Sequence, residues 1–285
     1  RRAGRWPRAM AGFTRAQELD PRNPRIARET AYTLEMMRDY PAALKVFRLQ
    51  QVWSPSVPAW YARGRGTQLC LDGDLAAATA GFAALPSDPD GIFGKWRALF
   101  EAWRGRPAEA LAALPPLLAR AGVALAEELA LQARVRQLAG DPAWRPLAER
   151  AGEILRPEVA VEHAGAGVPL MMLATLEAML GQSEAALRHA DRAVELRVAS
   201  GDAVLGAVLS GARLIRREPS RLQVLALVGA MADERFFAEL AELINTPSAL
   251  DPAMLRLDPA FARLREDARF ETLLAEAQTP IGGAG

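Results

Sequence analysis

Cysteine, histidine and lysine are nearly missing from this 285-residue sequence. Cys70 is the only cysteine, which excludes a disulfide framework and any paired-cysteine metal knuckle. His163 and His189 are the only histidines, and neither belongs to an HExxH pair, so the usual basis for a zinc site is lacking. Lys45 and Lys95 are the only lysines; arginine supplies the remaining positive charge. That bias, with abundant alanine, speaks of a GC-rich bacterial genome rather than of a fold. Long apolar runs are also lacking. The longest, GVPLMMLATL and LQVLALVGAMA, reach about half of the ~20 residues a bilayer span needs. No charged segment leads into an apolar signal core, so no signal peptide is read. The net charge of +1 provides no global field to recruit nucleic acid or an anionic membrane. Neither a GxSxG elbow nor a Walker loop occurs.

The chain does contain enough apolar and charged residues, 51% and 24%, to be an ordered soluble protein. In the opening stretch RWPRAMAGFTRAQELDPRNP, Ala9, Phe13 and Ala16 fall at i, i+4 and i+7, one face of a helix that Asp20-Pro21 ends. The same grammar returns at Ala43, Phe47 and Pro55, so both the alanine and the proline recur after 34 residues. That is the period of a helix-pair repeat in which small residues allow close helix approach and an aromatic fills the gap between pairs. Further copies carry Gly73, Gly105, Gly140, Gly181 and Gly229, at spacings of 32, 35, 41 and 48. The array therefore loosens toward its C-terminus. Ser220 and Gln223 have the spacing of a capping box for the last copy. Residues 202–219 read as extra material, another helix or a helical insertion. The stretch SALDPAMLRLDPAFARLREDARFETLLAEAQ reads as two Asp-Pro turns and a short amphipathic helix, with Phe261, Leu264, Phe270, Leu273 and Leu274 capping the last open apolar face. The final TPIGGAG is expected to fray.

DPRNPRIARETAYTLEMMRDYPAALKVF, GDLAAATAGFAALP and LRLDPAFARLREDARFETLL together resemble the C-terminal tetratricopeptide region of bacterial multidomain regulators. In those proteins a winged-helix, adenylate cyclase or kinase domain precedes a TolB-like segment and then the repeats. The resemblance implies an all-α, right-handed superhelix of about six or seven helix pairs with a C-terminal cap. The array would run over residues 1–200, with an irregular last repeat and cap over 201–285. It departs from the family pattern at Arg38, where glycine is usual, and at Arg145 and Glu234, where alanine is usual; looser packing is expected there. On this reading the opening helix is the second of a pair whose first lies upstream, and the chain is a piece of a longer parent.

For catalysis the residues offer little. His189 lies between helix-core positions Ala186 and Ala190, which suits packing, and His163 suits a loop or cap. HAGAGVP has Gly-x-Gly but neither a preceding strand nor a third glycine, so interhelix turns account for it more simply than a phosphate cradle. Cys70 beside Leu69 and Leu71 reads as a buried thiol. A non-enzymatic protein-interaction or sensory module, with no metal or cofactor, is the leading reading. The family's concave groove, carried onto this sequence, is implied to be lined by Arg25, Arg28, Tyr32, Trp60, Arg63, Lys95 and Trp103. A basic groove with aromatic walls suits a protein or peptide ligand carrying carboxylates. Solvent-screened pairs with neighbouring acids explain the same arginines equally well. Tyr32 and Thr67 stand where the co-chaperone clamp of this family has asparagine, so a chaperone C-terminus is not the expected ligand. RRAGRWPR and RLIRREPSR are basic, but the first is largely the outer face of a helix pair, and no nucleic-acid binding is expected of this segment. The alternatives are a small-molecule effector site, or the repeat portion of a cyclase or kinase whose active site lies upstream. The open N-terminal end invites self-association. Cytoplasmic placement is expected, with the periplasmic side of a membrane-anchored parent as the alternative.

Overall fold

The computed structural model describes residues 4–55, 57–83, 91–117, 119–161, 166–199, 220–248, 250–277 and 280–281. All regular structure among the described residues is helical. A leading helix, α1 (Trp6–Leu19), precedes a succession of pairs. These are α2 (Pro24–Met36) with α3 (Tyr40–Trp53), α4 (Pro58–Asp72) with α5 (Leu75–Ala83), and α6 (Ile92–Trp103) with α7 (Pro107–Ala113). They continue as α8 (Gly122–Leu138) with α9 (Trp144–Ala160), α10 (Gly167–Met179) with α11 (Ser183–Ala199), and α12 (Arg221–Val228) with α13 (Asp233–Leu243). The chain closes with α14 (Pro252–Leu257), two 3-10 turns (Pro259–Phe261 and Arg263–Glu266) and α15 (Ala268–Glu276).

Local chemistry sets the boundaries. Asn23 accepts from the amides of Arg25 and Ile26 to start α2, and Asp39 accepts from Ala42 to start α3; each helix has proline in its first turn. Ser220 caps α12 by accepting from the Gln223 amide, but the Gln223 side chain reaches to Asp258 instead of completing the box. Within the first five pairs the turn passes through a residue of positive φ: Arg38 at 60°, Gly73 and Gly105 at 69°, Gly140 at 72° and Gly181 at 81°. In four of these turns the next amide bonds back across the helix end, from Asp39 to Leu34, Arg106 to Glu101, Asp141 to Arg136 and Gln182 to Glu177, at 2.8–3.0 Å. This is the Schellman closure that glycine favours. Arg38 adopts it without being glycine, against a penalty of about 1–2 kcal/mol, because its buried guanidinium donates to the Ile244 carbonyl far along the chain.

Small residues meet where helices approach. Ala126, Ala133, Ala148 and Ala151 are fully buried between α8 and α9, as are Ala174, Ala186, Ala190 and Ala193 between α10 and α11. Arg145 does not loosen its pair. The turn before α9 extends over residues 139–143, so the helix buries Ala148, Ala151, Gly152 and Leu155 and leaves Arg145 exposed beside Trp144. Glu234 is likewise at the surface, bound to Arg269. Residues 202–219 and His163 lie outside the described residues.

The C-terminal segment departs from the expected end cap. Phe261, Leu264, Phe270 and Leu274 are buried as read, but the core they join also contains Tyr40, Leu69, Trp96 and Trp103. The segment folds back over the array instead of only sealing its last pair.

Candidate functional site

The expected groove lies on the first helices of the pairs, and the returning segment runs across these same helices. The Ser248 amide donates to the Met36 carbonyl at 3.0 Å, and that of Ile281 to Met37 at 2.9 Å, both at the end of α2. On α4, Cys70 Sγ lies 2.8 Å from Asp251 Oδ2, while Asp251 Oδ1 caps α14. Farther along, the Asp258 carboxylate accepts from Arg134 of α8 at 2.9 Å and from Gln223 of α12 at 3.1 Å. One segment thus ties α2, α4, α8 and α12 together. It buries Leu250, Met254, Leu255, Phe261 and Leu264. At ~1.5–3 kcal/mol for each such side chain, this burial is comparable to the ~5–15 kcal/mol net stability of a whole domain. The segment is a constitutive wall and too costly for a weak ligand to displace.

That wall changes the groove read from the sequence. Arg25 and Arg28 are exposed on α2, Arg28 facing Glu29 at 3.3 Å. Arg63 is half-buried on α4. Tyr32 is buried; so is Trp60, whose ring lies 6.2 Å from that of Phe47. Trp103 is buried 5.6 Å from Phe100 in the core that contains the returning segment. Lys95 is buried in an ion pair with Glu128. The structure therefore leaves Arg25 and Arg28 at the solvent boundary and takes the aromatic walls and Lys95 into the interior. The burial has separate causes: Trp103 shares the core of the returning segment, Trp60 packs into the α2–α3 cluster beside Phe47, and Lys95 is drawn in by Glu128 of α8.

Burial also sets the electrostatics beneath the wall. Desolvation pushes the Tyr40 phenol well above its ordinary value, and the nearby Asp251 carboxylate adds to the shift. Desolvation lowers Arg38 against a smaller opposing effect of Tyr40. Glu239 is raised by burial although Arg221 binds it at 2.7 Å. His189 Nδ1 lies 2.7 Å from the buried Glu177 carboxylate, a tie between α11 and α10. No group of three or more His, Cys, Asp or Glu side chains able to hold a metal occurs among the described residues. No described helix is long and apolar enough to cross a membrane.

The other conspicuous feature is a charge asymmetry that the near-zero total conceals. Residues 1–65 hold 13 Arg and Lys against 5 Asp and Glu, an excess of 8, while the whole chain has net charge +1. Arg8, Arg15, Arg22, Arg25, Arg28 and Arg48 are all exposed, and among the described residues only Arg15 and Arg28 of these six have carboxylate partners. Large exposed apolar side chains cluster in the same region, at Leu19, Leu49, Val52, Trp53 and Val57. Sequence reading missed both Asp251 and Asp258 as cross-chain anchors, since an Asp-Pro pair marks a turn and carries no sign of its distant partner. The basic excess was legible from a windowed count. Neither any known family profile nor any curated protein matches this chain.

Proposed function

We propose that this chain is a non-catalytic protein-interaction module, a tetratricopeptide-type right-handed superhelix serving a bacterial signalling or transcriptional regulator, and that its partner carries carboxylates. The observation that carries the proposal is the set of exposed arginines Arg8, Arg15, Arg22, Arg25, Arg28 and Arg48, in a stretch of 65 residues whose sequence holds an excess of 8 positive charges. The turn signature at Arg38, Gly73, Gly105, Gly140 and Gly181 supports the repeat assignment. Arginine forks suit carboxylates, and an exposed site of this kind supports affinities of about micromolar class. Binding of the full chain to poly-L-glutamate, followed at rising salt, tests the proposal. Capture should weaken with salt and should fall about tenfold or more when Arg15, Arg25, Arg28 and Arg48 are all replaced by alanine. Binding indifferent to both changes would sink the reading.

A further inference from the structure

Helix α3 packs against α2 and α4 and buries Ala43, Leu44, Phe47 and Gln50 on that side. Its opposite side is open. Lys45, Arg48, Leu49 and Val52 are exposed at i, i+3, i+4 and i+7, a single row along the axis. Trp53 lies one turn beyond Leu49 and is also exposed. Val57 is exposed as well, and its amide bond to the Ser54 carbonyl, at 3.1 Å, holds it beside the helix end. The two kinds of side chain are segregated along the helix. Lys45 and Arg48 come first; Leu49, Val52, Trp53 and Val57 follow, with about 10 Å of axis between Lys45 and Val52. No carboxylate among the described residues pairs with Lys45 or Arg48. Val52 is 74% exposed, so it contributes little to the fold.

We infer that the outer face of α3 is where the partner protein docks, and that the partner presents there a peptide segment with apolar side chains at one end and carboxylates about 10 Å away. This inference rests on the interaction-module reading above and adds the place and the layout of the ligand. Charge complementarity selects the carboxylates, because the two cations at one end of the row have no acid of their own. A second copy of the chain fits the row badly. Two-fold antiparallel pairing centred between residues 48 and 49 would set Arg48 against Arg48 at the axis. A lipid surface fits badly as well. Around the helix Lys45 falls between Leu49 and Val52, which interrupts the apolar sector, whereas an interfacial helix keeps that sector continuous. Every residue of the row is already exposed, so docking displaces no part of the core.

The probes are two synthetic peptides of one composition, titrated against the full chain by fluorescence anisotropy. In the first, leucines occupy one end and glutamates the other; in the second, the two residues alternate. The segregated peptide should bind about tenfold more tightly. The pair Lys45→Glu and Arg48→Glu should weaken its binding about tenfold or more and reduce the salt dependence. The uncharged pair Leu49→Gln and Val52→Gln should weaken it about tenfold at unchanged salt dependence. All four positions are exposed, so circular dichroism should show the native helix content in both variants. Reversal of Arg25 and Arg28 on α2 should cost less than about threefold, through long-range field alone. Loss with the α2 pair and retention with both α3 pairs would overturn this inference and leave the proposed function standing. Equal affinity for the segregated and alternating peptides would overturn it in the same way. Binding of phosphatidylserine vesicles but of neither peptide, abolished by the α3 substitutions, would overturn it in favour of a lipid surface. A dimer of the chain that the α3 substitutions abolish and the peptide disrupts would overturn it in favour of a second copy. Failure of both peptides and of poly-L-glutamate to bind would remove both readings.

Discussion

Arg38 shows how one side chain can override a local rule. Its backbone is left-handed where the other hairpin turns use glycine, and its guanidinium is buried with the Ile244 carbonyl as a partner. Two substitutions separate these effects. Arg38→Ala should keep the strained φ and lose the tie, for a loss of about 2–3 kcal/mol in urea unfolding. Arg38→Gly loses the tie but relieves the strain, so it should be about 1 kcal/mol less damaging. Equal losses would show that backbone strain is absent from the balance. Tyr40 makes a second prediction. Its folded pKa lies well above the unfolded value of about 10, so the native state holds the phenolic proton more tightly than the unfolded state. The stabilising contribution is full below the unfolded value and is lost as pH rises through the folded one. The wild-type chain should therefore lose stability above about pH 10, and Tyr40→Phe should flatten that limb in melting experiments.

At the scale of elements, the helix pairs and the returning segment depend on different forces. The pairs close through alanine contacts and Schellman turns, both local in sequence. The segment depends on anchors such as Asp258, which caps the first 3-10 turn and accepts from Arg134 and Gln223 while itself 1% exposed. Removing its carboxylate would leave the Arg134 charge buried without its partner, at a cost of about 3–5 kcal/mol. Asp258→Ala should lower the melting temperature by that equivalent, whereas Arg15→Ala, at an exposed pair, should change it hardly at all. Leu255→Ala, at a fully buried position, should cost about 2–5 kcal/mol. A cost below about 1 kcal/mol for both Asp258→Ala and Leu255→Ala would mean that the segment is not part of the cooperative core.

For the whole molecule, the returning segment turns an open array into one whose inner face is covered. Tyr40, Trp103, Phe236 and Phe270 share one apolar cluster, so the middle of the array and the chain's end belong to a single core. Hydrogen exchange should show this directly. Amides of α14 should exchange with the free energy of global unfolding, at rates matching those of α4, and not by fraying from the C-terminus. Faster exchange in α14 than in α4 would identify a separately opening unit. The same closure leaves the N-terminal region as the part of the surface where positive charge and exposed apolar side chains are concentrated.

The amino-acid sequence by itself determined the helical class, the hairpin turns and most helix ends, because these follow from neighbours within a few residues. Ala43 with Phe47, Asn23 with Pro24, and Gly105 at its turn all announce their roles locally. It also determined the basic bias of the first 65 residues, which needs only counting. Tertiary structure alone decided the fate of the inner face. Cys70 meets Asp251 across 181 residues, and Arg38 meets Ile244 across 206. No periodicity encodes such pairings. An apolar face reads the same whether a ligand or the chain's own end covers it, and only the geometry of the assembled array reveals which one does.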